Sequence, residues 1–245
     1  MTLLKDTDRN EIKYLRQSAD LAGKRVLEVG CGEGRLTWQY ASEPHSVVAF
    51  DADLDAVRVA RVDRPDDLQD KVQLACIDAA VLPFANAQFD VVIFAWSLCC
   101  IEPERKMPAL EEVRRVLAPG GTLIDMRAVL DSWPIEVVSL REVRKTTRVQ
   151  DIPEGLEHDA GAERAIARAE QERWFKRESE GFFSLAYSWD TPSDMEADLD
   201  EDWQDFIVLE QDGRRATRSA WALADADARV RLKVKVLVAR WKRVD

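Results

Sequence analysis

Residues 26–34 read VLEVGCGEG, an apolar run that leads into three glycines at alternate positions. The apolar residues indicate a short buried strand. The glycines let the backbone turn tightly and approach a bound ligand without a Cβ in the way. A helix after such a loop presents free N–H groups and a positive dipole end to a ligand. The stretch therefore predicts a strand, a ligand-binding loop and a helix, with a plain tight turn as the alternative.

The chain on both sides of this loop alternates between helical and strand patterns. Helices are predicted over residues 8–22, Leu36–Ala41, Leu54–Val62 (capped by Asp53) and Met107–Leu117. Strands are predicted at Val26–Val29, Val47–Phe50, Val72–Ile77, Phe89–Ala95 and Thr122–Met126. Because these strands are continuous apolar runs, we expect both of their faces to be covered. The pattern predicts an α/β fold with a mostly parallel sheet, and a ligand at the carboxyl ends of its strands.

The second half of the chain has a looser pattern. Its predicted elements are a hairpin of Pro134–Val138 and Glu142–Val149, a helix over Ala160–Glu180, a strand over Phe182–Trp189, an acidic helix over Ser193–Phe206 capped by Ser193, and a strand over Val230–Val238. The last strand alternates strictly between apolar and basic residues. This alternation predicts an antiparallel strand at or near a sheet edge.

Composition limits the classes of function. Apolar residues make up 46% of the chain, which suffices for a core, and 35 Lys and Arg against 46 Asp and Glu give a net charge of −11. Such a surface repels phosphate backbones, so we expect no DNA partner and no anionic membrane. The N-terminal residues lack the layout of a signal peptide, and no apolar run approaches membrane-spanning length.

The cysteine and histidine pattern favours a cytoplasmic protein without a bound metal. Cys31, Cys76, Cys99 and Cys100 lie in or beside apolar segments and form no CxxC motif. We expect them to be buried reduced thiols that act as small core residues. The two histidines have no ligand spacing to a cysteine, so no metal site is predicted.

Three residues around the loop indicate which ligand it binds. Arg35 stands where a dinucleotide-binding loop needs Gly or Ala, which argues against a pyrophosphate. Glu28, at the mouth of the loop, would attract an ammonium group. Asp51, at the tip of the second core strand, could accept hydrogen bonds from ribose hydroxyls or could simply serve a turn. A ligand with an amino group and a ribose satisfies both Glu28 and Asp51.

Four segments together resemble the successive motifs of class I S-adenosylmethionine-dependent methyltransferases: VLEVGCGEGRLT, VVAFDAD, CIDAAVLPFANAQFDVVIFAWSL and RRVLAPGGTLI. The resemblance covers about residues 10–128. It implies a Rossmann-like, seven-stranded, mostly parallel sheet with an antiparallel last strand and helices on both faces. It also implies S-adenosyl-L-methionine as the cofactor.

The resemblance assigns cofactor contacts residue by residue. Glu28, Gly30, Gly32 and Gly34 would line the methionine and ribose side, and Asp51 would bind the ribose hydroxyls with Ala52 beside the adenine. Asp78 would accept a hydrogen bond from the adenine amino group, backed by Ala79, although a turn role is its simpler alternative. Ala95 and Trp96 would face the methionine and its methyl group.

The acceptor is less defined by the sequence. Methyl transfer needs positioning more than acid–base help, and no catalytic residue stands out. The segment after Ala95 lacks the Asn-Pro-Pro-Tyr type of motif that marks methylation of nucleic-acid bases and glutamine. We therefore expect a small organic acceptor, with Trp133, Tyr187 and Trp189 as candidate pocket walls. RNA or protein methylation, a non-catalytic cofactor-binding protein and an NAD-dependent oxidoreductase remain as alternatives.

We divide the chain into a cofactor-binding core at residues 1–128, an inserted cap at 129–181, and a segment at 182–245 that completes the same sheet. The cap is expected to form a lid over the carboxyl edge of the sheet. Its placement follows from the end of the family-like motifs near Arg127.

Overall fold

The computed structural model describes residues 4–245, which form both helices and strands. The helices are α1 Asn10–Ser18, α2 Thr37–Tyr40, α3 Leu54–Asp63, α4 Pro103–Val116, α5 Pro153–Gln171, α6 Pro192–Asp202 and α7 Gln211–Ala222, with a 3-10 turn at Asp66–Leu68. The strands are β1 Leu4–Lys5, β2 Arg25–Val29, β3 Ser46–Asp51, β4 Val72–Cys76, β5 Phe89–Ala95, β6 Leu117–Ala128, β7 Pro134–Val138, β8 Val143–Arg148, β9 Gln150–Asp151, β10 Phe175–Trp189, β11 Ile207–Val208 and β12 Arg229–Arg243.

The chain divides into two compact units, each built from separate stretches of sequence. The glycine-loop unit comprises Glu11–Arg127, Ala160–Gly181 and Leu237–Asp245. The second unit comprises the described residues up to Asn10, together with Ala128–Asp159 and Phe182–Val236. The strands β10 and β12 are long enough to contribute residues to both units.

The glycine-loop unit contains a sheet of the strand order β10-β12-β6-β5-β2-β3-β4. The strand β2 pairs in parallel with β3 and β5, and the pairs β3–β4 and β5–β6 are parallel too. The ammonium group of Lys242 in β12 donates a hydrogen bond to the Thr122 hydroxyl in β6, and the guanidinium group of Arg243 donates to the Leu117 carbonyl. Since the later residue of β12 contacts the earlier residue of β6, the two strands are antiparallel. The central strands β2 and β5 are buried at most of their positions. The expected mostly parallel α/β core with an antiparallel last strand is therefore confirmed, whereas the complete sheet has ten strands rather than seven, because β1, β7 and β8 also pair into it.

The order of connections places a crevice beside β2. After β2 the chain moves outward through β3 and β4, then returns to the other side of β2 as β5. Where neighbouring strands lead away in opposite directions, their carboxyl-end loops separate and leave space for a ligand. The loops after β2 and β5 carry the glycines and Trp96, so both flank this crevice.

The second unit contains antiparallel pairs. The strands β7 and β8 form the expected hairpin, and β7 also pairs with the Arg229–Leu232 portion of β12. The short strand β1 pairs with the Trp189 end of β10, and β9 pairs with β11. This unit therefore holds antiparallel β-structure that the core motifs do not specify.

Two helix predictions are wrong at their ends. The helix α5 ends at Gln171 rather than Glu180, because Arg173 adopts a left-handed φ of 59° and the chain then enters β10. The helix α6 begins at Pro192, and its cap is Thr191 rather than Ser193: the Thr191 hydroxyl accepts a hydrogen bond from the Asp194 N–H at 3.2 Å. A proline in the first turn favours this earlier start.

The last strand is antiparallel and lies near a sheet edge, as predicted. The strand β12 pairs between β6 and β10, and its valines are buried. Its basic residues Arg231, Lys233 and Lys235 are half-buried, since long stems can cover apolar surface while the charge stays in water. Cys76 and Cys100 are exposed, so the expectation of four buried thiols holds for Cys31 alone, with Cys99 intermediate. Within residues 4–245, no helix has the length and apolar character that a bilayer crossing requires.

Candidate functional site

The glycines of the loop after β2 meet two different requirements. Gly30, Gly32 and Gly34 all adopt left-handed φ angles, of 74°, 53° and 83°. A Cβ on Gly30 would overlap Ser97, and one on Gly34 would overlap the ring of Trp38. A Cβ on Gly32 would meet no protein atom within 4 Å. Packing therefore requires the outer glycines, while the middle glycine faces open space that a ligand can approach.

Asp51 ties this loop to the end of β3. One carboxylate oxygen accepts the Gly32 N–H at 2.8 Å and the other accepts the Asp53 N–H at 3.0 Å. Each carboxylate oxygen has a second lone pair, so Asp51 can still accept hydroxyl donors. Asp53 caps α3 as predicted, with its side chain on the N–H groups of Asp55 and Ala56. The residue assigned to ribose thus lies directly beside the open face of Gly32.

Glu28 is a buried carboxyl group in this unit. Only 1% of the residue is exposed, and one oxygen accepts hydrogen bonds from the hydroxyls of Thr37 and Tyr40, at 2.6 and 2.7 Å. Burial raises the pKa of the Glu28 carboxyl to about 7, against the opposing effect of these two hydrogen bonds. Its charge therefore changes near neutral pH. The assignment of Glu28 to the amino group of the ligand stays a prediction.

A second buried carboxylate links three parts of the site. Glu11 on α1 is fully buried, and its oxygens accept the guanidinium of Arg35 and the indole N–H of Trp96, the latter at 2.6 Å. Trp96 itself has a left-handed φ of 65°, a conformation costly for a bulky residue. The ion pair explains why an arginine follows the glycine loop. Glu11 was not identified from the sequence, because no local pattern distinguishes this acid from the other acids of the first helix.

Asp78 lies at the surface beyond the end of β4. Its carboxylate forms an ion pair with Arg105 and accepts the Ala80 N–H at 2.9 Å. The three candidate alanines are small residues on the loops at these strand ends: Ala52 is exposed, while Ala79 and Ala95 are half-buried. The structure thus brings the candidate residues of β2, β3, β4 and β5 to the carboxyl ends of these strands.

The three candidate acceptor residues lie in the second unit and are buried. The exposed fractions are 1% for Trp133, 5% for Tyr187 and 0% for Trp189. The ring of Trp203 packs edge-on against both Trp133 and Tyr187, and the indole of Trp189 donates to buried Asp198. Their surroundings indicate a role in packing the second unit. A contact with an acceptor stays a prediction.

Metal ligation has no structural support in the part of the chain that the structure describes. Among residues 4–245, no three side chains of His, Cys, Asp or Glu are grouped as metal ligands.

The fold and this site define a protein of the class I methyltransferase architecture. Residues 26–121 match the family model described as a methyltransferase domain, which confirms the resemblance of the four motifs over this region. The match includes Glu28, the glycine loop, Asp51, Asp78 and Trp96.

Curated relatives match part of the chain. Demethylmenaquinone methyltransferase from Renibacterium salmoninarum is 37% identical over 42% of this chain and 40% of its own length. The tRNA N(3)-methylcytidine methyltransferase Mettl2 from Drosophila melanogaster is 30% identical over 44% of this chain and 35% of its own length. The chain spans less than half the length of either relative.

Solved structures share the fold across nearly the whole chain. The N-methyltransferase NodS from Bradyrhizobium japonicum, in complex with S-adenosyl-L-homocysteine, has a TM-score of 0.55 at 15% identity, covering 97% of this chain and 87% of its own. The [4+2]-cyclase SpnF has a TM-score of 0.56 at 18% identity, covering 96% and 81%. The fold is thus shared by proteins described with different activities, and the activity must be argued from the site.

Proposed function

We propose that the protein transfers a methyl group from S-adenosylmethionine to a small organic acceptor. The observation that carries the proposal is the open face of Gly32, fixed to Asp51 at the crevice between β2 and β5. No protein side chain fills the space next to Gly32, so a ligand can approach the protein backbone there. The carboxylate of Asp51, which can accept hydrogen bonds from hydroxyl groups, lies beside that space. The match of residues 26–121 to a methyltransferase domain supports the same ligand.

The residues at the site fit this cofactor. Asp51 would hold the ribose hydroxyls, the Gly30–Gly34 loop would hold the methionine portion, and Asp78 would accept the adenine amino group. Glu28, when ionised, would add negative potential for the ammonium group. Arg35 forms an ion pair with Glu11 and stands where a dinucleotide-binding loop needs Gly or Ala. This residue therefore disfavours binding of a dinucleotide pyrophosphate.

Methyl transfer mainly requires the protein to position the acceptor relative to the methyl group. The cofactor supplies an electrophilic methyl group whose leaving thioether is neutral, so no side chain needs to protonate it. The protein holds the acceptor in line with the methyl group, and excludes water from the gap. Trp96, fixed by Glu11 at the end of β5, is the residue that we assign to the methyl end of the site.

A small acceptor fits the charge of the chain. A net charge of −11 provides no general attraction for a polyanion, and the relative from Renibacterium salmoninarum is named for a small quinone acceptor. RNA is the second candidate because the Drosophila melanogaster relative is named for tRNA.

We also propose that residues 129–181 form a lid and that the protein is cytoplasmic. Cell fractionation tests the location.

Calorimetric titration with S-adenosylmethionine, S-adenosylhomocysteine and NAD tests the cofactor. Gly32→Val places a side chain in the open space and should abolish binding of both sulfur nucleosides. Gly23→Val is the matched control, since Gly23 has a similar φ of 68° and open space, but stands before β2. Binding of NAD alone, or equal losses in both variants, would refute the assigned site.

Transfer of labelled methyl groups tests the acceptor. Purified protein is incubated with labelled S-adenosylmethionine and, separately, a metabolite extract, total RNA and cell protein. We expect label in the metabolite fraction only. Label confined to RNA or protein would overturn the small acceptor while leaving the cofactor in place. Binding without transfer to any fraction would favour the non-catalytic alternative.

A further inference from the structure

The turn after Trp96 carries two adjacent thiols in contact. The sulfur atoms of Cys99 and Cys100 are 3.8 Å apart, and the Cys100 thiol donates to the Trp96 carbonyl at 3.3 Å. The Cys99 thiol approaches the same carbonyl at 3.8 Å. Cys100 is exposed and Cys99 is half-buried. A nucleophilic sulfur that solvent can reach thus has a second sulfur at its side.

A buried cation stands beneath this pair. Lys106 is 1% exposed, and its ammonium donates to the Cys99 carbonyl at 3.0 Å and to the Ile101 carbonyl. The Cys99 thiol and the Lys106 charge lower the pKa of the Cys100 thiol to about 7, against the effects of burial and of Asp51. Thiols beside a cation and open to solvent are the reactive ones in proteins.

We propose that Cys100 is a site of oxidation by peroxides, that Cys99 converts the product to a disulfide, and that this modification weakens cofactor binding. The Cys100 thiolate attacks the peroxide oxygen, the O–O bond breaks, and a sulfenic acid and an alcohol or water form. The Cys99 sulfur then displaces the sulfenic oxygen as water, and the S–S bond forms. The peroxide is the two-electron oxidant, and an added thiol reverses the step.

The modification is coupled to the glycine loop through the packing of the turn. Forming the bond brings the sulfurs from 3.8 Å to about 2 Å and removes both S–H groups from the Trp96 carbonyl. The next residue, Ser97, donates to the Val29 carbonyl and fills the space that a Gly30 side chain would need. A rearranged turn must therefore disturb the loop that we assign to the cofactor. This last step rests on the proposed function.

Mass spectrometry of the full chain tests the chemical step. After treatment with hydrogen peroxide, we expect loss of two hydrogen atoms, mapped to the peptide with Cys99 and Cys100. Cys99→Ser should leave a sulfenic acid at Cys100 that dimedone traps, and Cys100→Ser should slow oxidation at least about tenfold. Cys76 is the matched control, because it is exposed and donates to a backbone carbonyl but has no thiol neighbour. Oxidation of Cys76 as fast as Cys100 would overturn the site.

Calorimetry with S-adenosylhomocysteine tests the consequence. We expect the oxidised protein to bind at least about tenfold more weakly, with recovery after dithiothreitol, and Cys76→Ser to behave like the wild type. Unchanged affinity of the disulfide form would overturn the coupling. Absence of binding to the reduced protein would instead refute the proposed function, while mass spectrometry would still decide on the thiol pair.

Discussion

Replacing Glu28 by Gln should remove a pH-dependent loss of stability. In the folded protein, burial raises the pKa of this carboxyl from 4.5 to about 7. Between these values the unfolded chain is ionised, whereas the folded protein keeps its proton. The contribution of Glu28 to stability is therefore full below pH 4.5 and is lost as pH rises through 7. Gln keeps an oxygen for Thr37 and Tyr40 but has no proton to lose.

The magnitude follows from the width of this interval. About 2.5 pH units at about 1.4 kcal/mol per unit give a loss of about 3 kcal/mol. Urea unfolding of both proteins between pH 4 and pH 8.5 measures it. The free energy of unfolding of Glu28→Gln, minus that of the wild type, should rise by about 3 kcal/mol across this range.

A control in the same segment separates this effect from general changes in charge. Glu43→Gln removes a partly exposed carboxylate, paired with Arg16, just after α2. We expect its difference from the wild type to lack the rise centred between pH 4.5 and 7. A difference for Glu28→Gln that does not vary with pH would refute the argument that burial governs this carboxyl.

Four further predictions concern the same unit. Cofactor affinity should increase as pH rises through 7 in the wild type and stay level in Glu28→Gln, as measured by calorimetry. Asp51→Ala should weaken binding of S-adenosylhomocysteine by about 1–3 kcal/mol while the protein still folds, and unchanged affinity would leave Asp51 only its turn role. Gly30→Ala should destabilise the fold by about 2–4 kcal/mol through its left-handed φ and overlap with Ser97; partial recovery with Ser97→Gly checks the cause by thermal unfolding. Glu11→Leu should lower the free energy of unfolding by about 1–3 kcal/mol, because it removes the acceptor of the Trp96 indole N–H, whereas the 40% exposed side chain of Arg35 can be solvated; Glu11→Gln should cost less.

The parallel core could be predicted because its signals are local. Continuous apolar runs such as Val91–Phe94 are typical of strands that are buried on both faces. The glycines of the loop after β2 indicate a tight turn by themselves. The position of Asp51 at the end of β3 follows directly from the end of an apolar run. These features need only neighbouring residues for their interpretation.

The remaining features depend on residues that are distant in sequence. The bond between Glu11 and Trp96 joins positions 85 residues apart, which no spacing pattern reveals. The end of α5 depends on the left-handed Arg173, a residue type with a good helix propensity. The alternation of β12 does predict its antiparallel direction, but not which strands pair with it. Aromatic residues such as Trp189 cannot be divided between core and pocket by composition.

The late position of β12 in the sequence affects how the chain folds and where it can be truncated. Its portion from Leu237 onward pairs next to β6 and is anchored by the Trp241 indole, which donates to Glu170 at 2.6 Å. During translation, the backbone of β6 leaves the ribosome long before its partner strand exists. Contacts so remote in sequence slow folding and leave an open strand edge that can aggregate. A fragment that stops at residue 128 should therefore precipitate, because the edge of β6 then has no partner strand.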